Sequence, residues 1–297
     1  MENIIEYYYN LKVENLLEKE EDYFFKSNSN SFILKKIENP SNIDKIYFLS
    51  QEININKIIP NNNQELITTI NNKLYTLLLI KRISNYNLSL ISKLSNTNIF
   101  PIKELERNNW ELLWEERVDF LEEFLTNNTK KYPLLAKCSP YYIGLSENAI
   151  AYLINTKKEV PKDNYLDQKA ISHISFNNSL YDPFNIIFDH KSRDLSEYIK
   201  LSFFRNNKNI YQELDNYFKY NKYSKYGIMV LYSRLLYPSF FFHTFDSIIN
   251  NKEKESYLNN YINKIEDYEI YLYNIYLYLS KYYDIPIPNW LKKKWRN

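Results

Sequence analysis

The chain has 297 residues, of which 44% are hydrophobic and 25% are charged, so it can bury a large core in one domain or two lobes. The net charge is +2, with both signs interspersed, which argues against nucleic acid or a membrane surface as a partner. Cys138 is the single cysteine, so intrachain disulfides and thiolate metal clusters are excluded and a reducing compartment is expected. We expect no signal peptide and no membrane insertion, because no apolar run reaches the roughly 20 residues of a membrane span.

Glycine is scarce, with only Gly144 and Gly227 in the chain. The two are far apart, so neither the dinucleotide fingerprint nor a Walker-type phosphate loop can exist. Such loops need residues without a Cβ, because the backbone must approach the phosphates closely. An AT-rich genome is sufficient to explain the scarcity, together with the 30 tyrosines.

The N-terminal part predicts a small sheet that carries a helix. A short helix is followed by a hairpin of residues 23–26 and 32–37, with a polar turn between them. The helical period then runs from about residue 43 to residue 53. A second hairpin follows, with strands at 64–70 and 73–80, and Asn71-Asn72 stand where a two-residue turn needs positive φ. We assign residues 1–83 to a small α+β lobe.

Helical patterns dominate from about residue 85, and we assign residues 84–297 to a larger helical lobe. Only residues 173–190 and the proline-containing tail at 285–291 look extended. The predicted class is therefore α+β. Helices are predicted at 87–94, 104–125 and 140–154, and then from 194 to 281 with breaks near 206–208, 221–226, Pro238 and 250–251.

The segment that begins at His173 has the outline of a phosphotransferase active site. Enzymes of the kinase type place an aspartate two residues after this histidine to orient the attacking hydroxyl, and an asparagine about five residues later to hold magnesium. Here Ser175 stands at the aspartate position, and a serine hydroxyl is a poor proton acceptor near neutral pH. Leu180 stands at the asparagine position, and only a shifted loop would present Asn177 or Asn178. This half of the segment is a degenerate catalytic loop.

Asp189 ends the short apolar strand 186–189 and is the candidate metal ligand. A single carboxylate without its asparagine partner would bind magnesium poorly. Asp189 has two alternative roles, capping the following turn or pairing with Arg193. Asp194 opens the next helix, where a carboxylate suits the helix dipole, and we expect Arg193 and Asp194 to act as a structural brace.

The candidate cofactor-binding residues are Lys35, Lys36 and Glu52. The run 32–36 is similar to the strand that carries the phosphate-binding lysine of kinases. Because side chains alternate along a strand, only one of the two lysines can face the cleft. Glu52, at the end of the predicted helix, is the expected partner of that lysine. The alternative is a solvated strand lysine.

Several blocks between residues 110 and 291 resemble the YutH-type spore coat proteins of endospore-forming Firmicutes. That group is a branch of the CotS-like family, which has the aminoglycoside-phosphotransferase, or kinase-like, fold. The blocks occur in the family's order, with Lys191 where proline is usual. They are Trp114-Glu-Glu-Arg117-Val-Asp119-Phe-Leu-Glu122, Tyr141-Tyr-Ile-Gly-Leu-Ser-Glu-Asn-Ala-Ile-Ala-Tyr152, Asp189-His-Lys-Ser-Arg-Asp-Leu-Ser-Glu-Tyr-Ile199, Arg234-Leu-Leu-Tyr-Pro238 and Pro288-Asn-Trp-Leu291.

The resemblance implies a sporulation protein made in the mother cell and deposited on the spore coat, with other coat proteins as partners and no cofactor. It also implies that the degenerate loop belongs to the whole group. The leading hypothesis is therefore a kinase-like protein without phosphotransferase activity that acts in coat structure or assembly. The alternatives are an atypical small-molecule phosphotransferase using Mg·ATP and a nucleotide-gated binding module. The sequence does not fix the oligomeric state.

Overall fold

The computed structural model describes residues 1–81, 84–176 and 179–295. Contacts within it divide the chain into two units, each built from two segments. Met1–Glu106 and Ala170–Phe188 form the first unit, and Arg107–Lys169 and Asp189–Asn297 form the second. The boundary predicted near residue 83 lies inside the first of these segments.

The first unit is organised around an antiparallel sheet. Among the described residues, six strands form it in the order β1-β2-β3-β6-β4, and β5 also pairs with β6. Alternate side chains of the strands are apolar and pack into a core that includes Phe25, Phe32, Leu34 and Leu77. The strand bounds are β1 Glu14–Lys19, β2 Asp22–Ser27, β3 Asn30–Ile37, β4 Lys57–Ile59, β5 Thr68–Ile70 and β6 Lys73–Ile80.

Both predicted hairpins are present, although β5 is shorter than the strand predicted at 64–70. Their turns show why asparagine is used there. Asn28 and Ser29 connect β2 to β3 with φ of 47° and 64°, and Asn71 and Asn72 connect β5 to β6 with φ of 49° and 61°. Asparagine tolerates this left-handed region better than most residues with a Cβ. The sequence missed β1 and β4. β1 is exposed at nearly every position, so it lacks the alternating apolar pattern of a half-buried strand.

Helices and two further strands complete the first unit. The predicted helix near residue 43 is confirmed. Of the segment 173–190 that was predicted to be extended, only His173 and residues 186–190 lie in strands among the described residues. A short 3-10 helix, Pro183–Asn185, leads into the last strand. The bounds are α1 Glu2–Tyr9, α2 Ile43–Glu52, α3 Leu88–Ser95, β7 Lys169–His173 and β8 Ile186–His190, and β7 pairs with β8.

The second unit is predominantly helical, which confirms the predicted helical lobe and the α+β class. The predicted breaks at 206–208, Pro238 and 250–251 fall between helices, and the predicted break at 221–226 overlaps the start of α8 at Lys225. No helix in the described ranges is both long and apolar enough to cross a membrane. The helices are α4 Trp110–Asn128, α5 Pro133–Glu159, α6 Ser192–Phe204, α7 Ile210–Tyr220, α8 Lys225–Leu236, α9 Ser239–Ile249, α10 Asn259–Ile262, α11 Ile265–Ser280 and α12 Asn289–Trp295.

Two predicted helix starts and the tail are corrected. α4 begins at Trp110, six residues after the predicted start, because the preceding residues 103–105 form a separate 3-10 turn. α5 begins at Pro133 and runs through Pro140. Proline suits the first turn of a helix because its missing N–H needs no partner there, whereas inside a helix it removes one hydrogen bond. The predicted extended tail becomes helical at Asn289.

Candidate functional site

The loop after β7 is held by buried polar contacts within the first unit. His173 is buried, and its Nε2 lies 2.9 Å from the carbonyl oxygen of Leu180. The ring of Tyr86 meets the imidazole edge to face at 5.2 Å, and the Tyr86 hydroxyl donates to the carbonyl of Ser175 at 3.0 Å. The two residues that sequence analysis selected in this loop are therefore held in place, His173 through its imidazole and Ser175 through its backbone.

Asn185 is a site residue that the sequence analysis missed. It is buried, its amide nitrogen donates to the Ser175 carbonyl at 2.8 Å, and its amide oxygen accepts from the Ser175 N–H at 2.9 Å. The count of five residues forward from Ser175 reached Leu180, whereas Asn185 lies 10 residues after Ser175. A count of four residues back from Asp189 would have found Asn185, the last residue of the 3-10 helix before β8. Asn177 and Asn178 lie outside the described residues.

Lys35 and Lys36 point in different directions from β3, as the strand alternation predicts. The Lys35 ammonium lies 3.3 Å from Asp182 and 3.8 Å from Asp22. Lys36 pairs with Glu21 instead. Asp182 is buried and also accepts the N–H of Phe184 at 3.0 Å, which fixes the start of the 3-10 helix before β8. Lys35 thus joins the sheet to the segment that leads to β8.

The structure pairs Lys35 with aspartates rather than with Glu52. Glu52 is the last residue of α2, and it is exposed. Its neighbouring cation is Lys57, which follows it on β4. Asp182 is therefore the partner of Lys35, in the place where Glu52 was expected.

Asp189 is the centre of a buried ion-pair cluster in the second unit. Arg234 Nη2 donates to both of its carboxylate oxygens, at 2.9 and 3.0 Å. Arg193 Nη1 lies 3.5 Å from Oδ2, and the Trp110 indole N–H donates to Oδ1 at 3.1 Å. The His190 N–H adds a further donor at 2.6 Å. Donors surround both oxygens of the carboxylate, whose side chain is 3% exposed.

Trp110 also orders the two arginines around Asp189. The guanidinium carbons of Arg193 and Arg234 lie 4.4 and 4.5 Å from its ring centroid. A cation over an indole face is attracted by the ring quadrupole, most strongly where water is excluded. We call Asp189, Arg193, Arg234 and Trp110 the Asp189 cluster.

A hydrogen-bond chain lies beside this cluster. Ser224 donates to Asp167 at 2.7 Å, and His190 Nε2 lies 3.2 Å from the same carboxylate oxygen. The N–H of Ser192 is 3.1 Å from His190 Nδ1. Because a backbone N–H can only donate, Nδ1 is the acceptor and Nε2 carries the proton given to Asp167. Ser192 is fully buried. The chain formed by Ser192, His190 and Asp167 therefore serves packing and not nucleophilic attack.

These contacts shift two pKa values. Burial lowers the pKa of His190, although the hydrogen bond to Asp167 opposes the shift. Burial alone would raise the pKa of Asp167, but the hydrogen bonds from His190, Ser224 and the Asp163 backbone lower it overall. The pair is therefore a neutral imidazole beside a carboxylate near neutral pH.

Asp194 lies in the first turn of α6, as predicted, and it is buried. Burial raises the pKa of the phenols of Tyr217 and Tyr223, and the charge of Asp194 adds to both shifts.

No group of three or more histidine, cysteine, aspartate or glutamate side chains within residues 1–81, 84–176 and 179–295 is arranged to hold a metal ion.

One family model matches most of the chain. The model of the family described as "Spore coat putative kinase YutH" matches residues 2–275. The chain belongs to this spore coat YutH family. The endospore coat-associated protein YutH of Bacillus subtilis (strain 168) is 32% identical over 165 residues, a match that covers 50% of this chain and 48% of that protein. The match thus spans about half the length of that relative.

Solved structures confirm the kinase-like fold expected for the YutH family. An aminoglycoside phosphotransferase from Alicyclobacillus acidocaldarius has a TM-score of 0.64 at 11% identity, with 93% of this chain and 96% of that chain covered. The spectinomycin phosphotransferase APH(9)-Ia, solved with ADP and spectinomycin, has a TM-score of 0.57 at 14% identity, with 92% of each chain covered. At such low identity the likeness concerns the fold alone.

Proposed function

We propose that this YutH-family chain is a kinase-like protein without phosphotransferase activity that acts as a structural or assembly component of the endospore coat. The observation that carries the proposal is the saturation of Asp189 by N–H donors. Arg234 and Arg193 neutralise the carboxylate, while Trp110 and the His190 N–H occupy its remaining lone pairs. The residue that would hold a metal in an active relative is here the centre of a structural ion pair.

The surroundings of Asp189 do not fit a magnesium ion. Magnesium prefers an octahedral set of oxygen ligands and gives up its water reluctantly. The neighbours of Asp189 are two guanidinium groups, an indole N–H and a backbone N–H, all of which are donors. A cation at this carboxylate would face the repulsion of both arginines, so we assign no reaction step to a metal there.

Ser175 supports the same proposal from the first unit. Both its backbone N–H and its carbonyl are bound by the side chain of Asn185. Asn185 therefore acts as a loop anchor, whereas a transferase would need a carboxylate at position 175 to orient the acceptor hydroxyl.

A phosphotransfer assay tests the absence of activity. The purified chain would be incubated with γ-labelled ATP, magnesium and a panel of aminoglycoside and small alcohol acceptors, beside an active aminoglycoside phosphotransferase. We expect no labelled product from the wild type or from Ser175→Asp, because Asp189 remains paired with its arginines. Transfer by the wild type that disappears in Asp189→Ala would contradict the proposal.

The coat assignment is supported by the family and by the coat-associated relative from Bacillus subtilis. A fluorescent fusion expressed from its native promoter in a sporulating host tests it. We expect the signal to collect around the developing spore and to remain with the coat fraction on extraction. A signal that stays diffuse in the mother cell throughout sporulation would contradict a coat role.

One observation favours a second candidate, a nucleotide-gated binding module. Lys35 keeps the strand position of a phosphate-binding lysine and is held by Asp182. Under this alternative, Mg·ATP at 100 times its Kd would stabilise the fold by roughly 2.7 kcal/mol without turnover. Lys35→Met would abolish that shift, while Lys36→Met, on the neighbouring residue, would retain it. Under our leading proposal the wild type shows no shift, and these outcomes separate the two functions.

A further inference from the structure

The second unit contains a cavity of about 100 Å³ whose lining belongs entirely to that unit. One face of α8 contributes Tyr226, Val230 and Arg234, which are spaced four residues apart. α5 contributes Leu153 and Lys157 at the same spacing. Residues three or four apart share a helix face, so two helices present regular faces to this space.

Positive charge dominates the cavity. Five cationic side chains line it beside two aspartates. The side chains of the aspartates are 3% and 1% exposed, because their neighbours cover them. Lys157 is neutralised by Glu111, whose carboxylate lies 2.6 Å from the ammonium. The cations are Arg107, Lys157, Lys162, Lys169 and Arg234, and the aspartates are Asp167 and Asp189.

Arg107 and Lys162 stand out among these cations. Both are exposed residues that line the cavity. Lys162 lies 5.5 Å from the centroid of the Tyr226 ring, which orients a cation without neutralising it. No carboxylate in the described part of the chain forms an ion pair with either side chain. The rim therefore offers cations that an anion can engage.

Arg234 supplies an independent sign of a missing acceptor. It is 4% exposed and lines the cavity, yet its Nε has no hydrogen-bond partner among the described residues. Buried polar groups in native structures are almost always paired, because an unpaired donor carries its full desolvation cost. Arg234 thus brings an unpaired buried donor to the wall of the cavity.

The size of the cavity limits the ligand. Sites for drug-sized molecules have roughly 300–1,000 Å³, so about 100 Å³ excludes a nucleotide base and ribose. A water molecule needs roughly 10–15 Å³ of such volume, which leaves room for a group of several heavy atoms. A single tetrahedral oxyanion meets both limits.

We propose that this cavity, bounded by Arg107, Lys162 and Arg234, is a binding site for one phosphate-sized oxyanion, either free or at the end of a small ligand. Phosphate oxygens accept charge-assisted hydrogen bonds from arginine and lysine. The site goes beyond the proposed coat function and requires no phosphoryl transfer.

Titration with inorganic phosphate tests this proposal. Thermal unfolding and calorimetry would be followed in phosphate and in sodium chloride at matched ionic strength. We expect saturable stabilisation by phosphate with a stoichiometry of one. Arg107→Gln combined with Lys162→Gln should weaken the phosphate affinity at least about tenfold, because each lost cation removes a charge-assisted hydrogen bond.

Lys158→Gln is the matched control, because Lys158 is exposed on the same helix as Lys157 and does not line the cavity. It should leave the phosphate affinity within about twofold, a change far below that of one lost hydrogen bond.

Phosphate also stabilises proteins by exclusion from their surfaces, but that effect does not saturate and does not depend on Arg107 or Lys162. Equal stabilisation by phosphate and chloride, or an unchanged affinity in the double variant, would overturn the proposal. Tighter binding of AMP than of phosphate would overturn the size limit, while equal binding of a small phosphate monoester would show that the oxyanion alone is recognised.

Discussion

Asp189 lies on β8 and is held there by buried ion pairs. Its carboxylate is buried and meets two arginines, both stacked on Trp110. Buried charges are costly unless they are paired and hydrogen-bonded, and removal of one partner leaves the others uncompensated. The Asp189 cluster therefore makes the aspartate a stability residue.

We predict that Asp189→Ala lowers the free energy of unfolding by about 3–5 kcal/mol, the usual cost of breaking a buried ion pair. Urea unfolding followed by circular dichroism measures this change. Asp284→Ala is the control, because that side chain is fully exposed although it faces Lys225 at 3.3 Å, and a surface pair changes stability by less than about 1 kcal/mol. A neutral or stabilising effect of Asp189→Ala would indicate instead a strained functional carboxylate.

The sequence could predict only the local part of the Asp189 cluster. Arg193 follows the aspartate by four residues, so a pairing between them was an available alternative. Arg234 and Trp110 are 45 and 79 residues away along the chain, and no local pattern joins them. Asn185 was within reach, but only by a count backward from the strand end, because the loop length is not fixed by the fold.

At the element scale, the two glycines have opposite environments although both lie in helices. A Cβ on Gly227 in α8 would meet an Asp167 carboxylate oxygen at 2.9 Å and His190 ring atoms at 3.2 Å. A Cβ on Gly144 in α5 would meet nothing within 4 Å. α8 therefore needs a glycine to approach the Asp167–His190 pair, whereas α5 does not.

We predict opposite signs for two alanine substitutions. Gly227→Ala should lower the free energy of unfolding by about 1–2 kcal/mol, because the overpacking cost of about 1–3 kcal/mol exceeds the helix-propensity gain. Gly144→Ala should raise it by about 0.4–1 kcal/mol, since alanine restricts the unfolded chain and favours the helix. Denaturant unfolding of both variants at one pH checks this. If both variants changed the free energy of unfolding with the same sign, the close approach of α8 to Asp167 and His190 would not decide the effect of Gly227→Ala.

Elements with a one-sided apolar pattern were predictable, and those shaped by their neighbours were not. The hairpins β2–β3 and β5–β6 follow from alternating residues and asparagine turns. β1 is held mainly by its pairing with β2, so its exposed residues carry no strand signal. α5 continues through Pro140 because buried residues such as Leu135, Tyr142 and Leu145 line it on both sides of the proline, and this tertiary packing outweighs a local helix breaker.

At the scale of the whole molecule, the chain combines a kinase-like fold with a serine, Ser175, at the position where kinases place an aspartate that orients the attacking hydroxyl. The family blocks that reveal the fold include three members of the Asp189 cluster, Asp189, Arg193 and Arg234, together with the first turn of α6. The contacts of Ser175 with Asn185 use its backbone, so these contacts do not depend on which side chain stands at position 175.

The polar network around His190 makes the stability of the chain depend on pH. Burial lowers the pKa of His190, and its Nδ1 accepts the N–H of Ser192, a hydrogen bond that protonation of Nδ1 would break. Arg234 disfavours the charged ring, while Asp167 and Asp189 oppose that effect. An unfolded histidine titrates near 6.5, so below this pH the unfolded state binds more protons than the folded state.

We therefore predict that stability is at its full value above about pH 6.5 and falls as the pH is lowered from there toward 5, by up to about 1.4 kcal/mol per pH unit for this histidine. Urea unfolding at pH 7.5, 6.5, 5.5 and 5.0 measures the slope, in a range that leaves most carboxylates ionised. His190→Gln should flatten the slope even if it lowers stability at every pH. Burial also lowers the pKa of His243, so His243→Gln measures the separate share of that histidine in the slope. A slope that persists in His190→Gln would place the titrating group elsewhere.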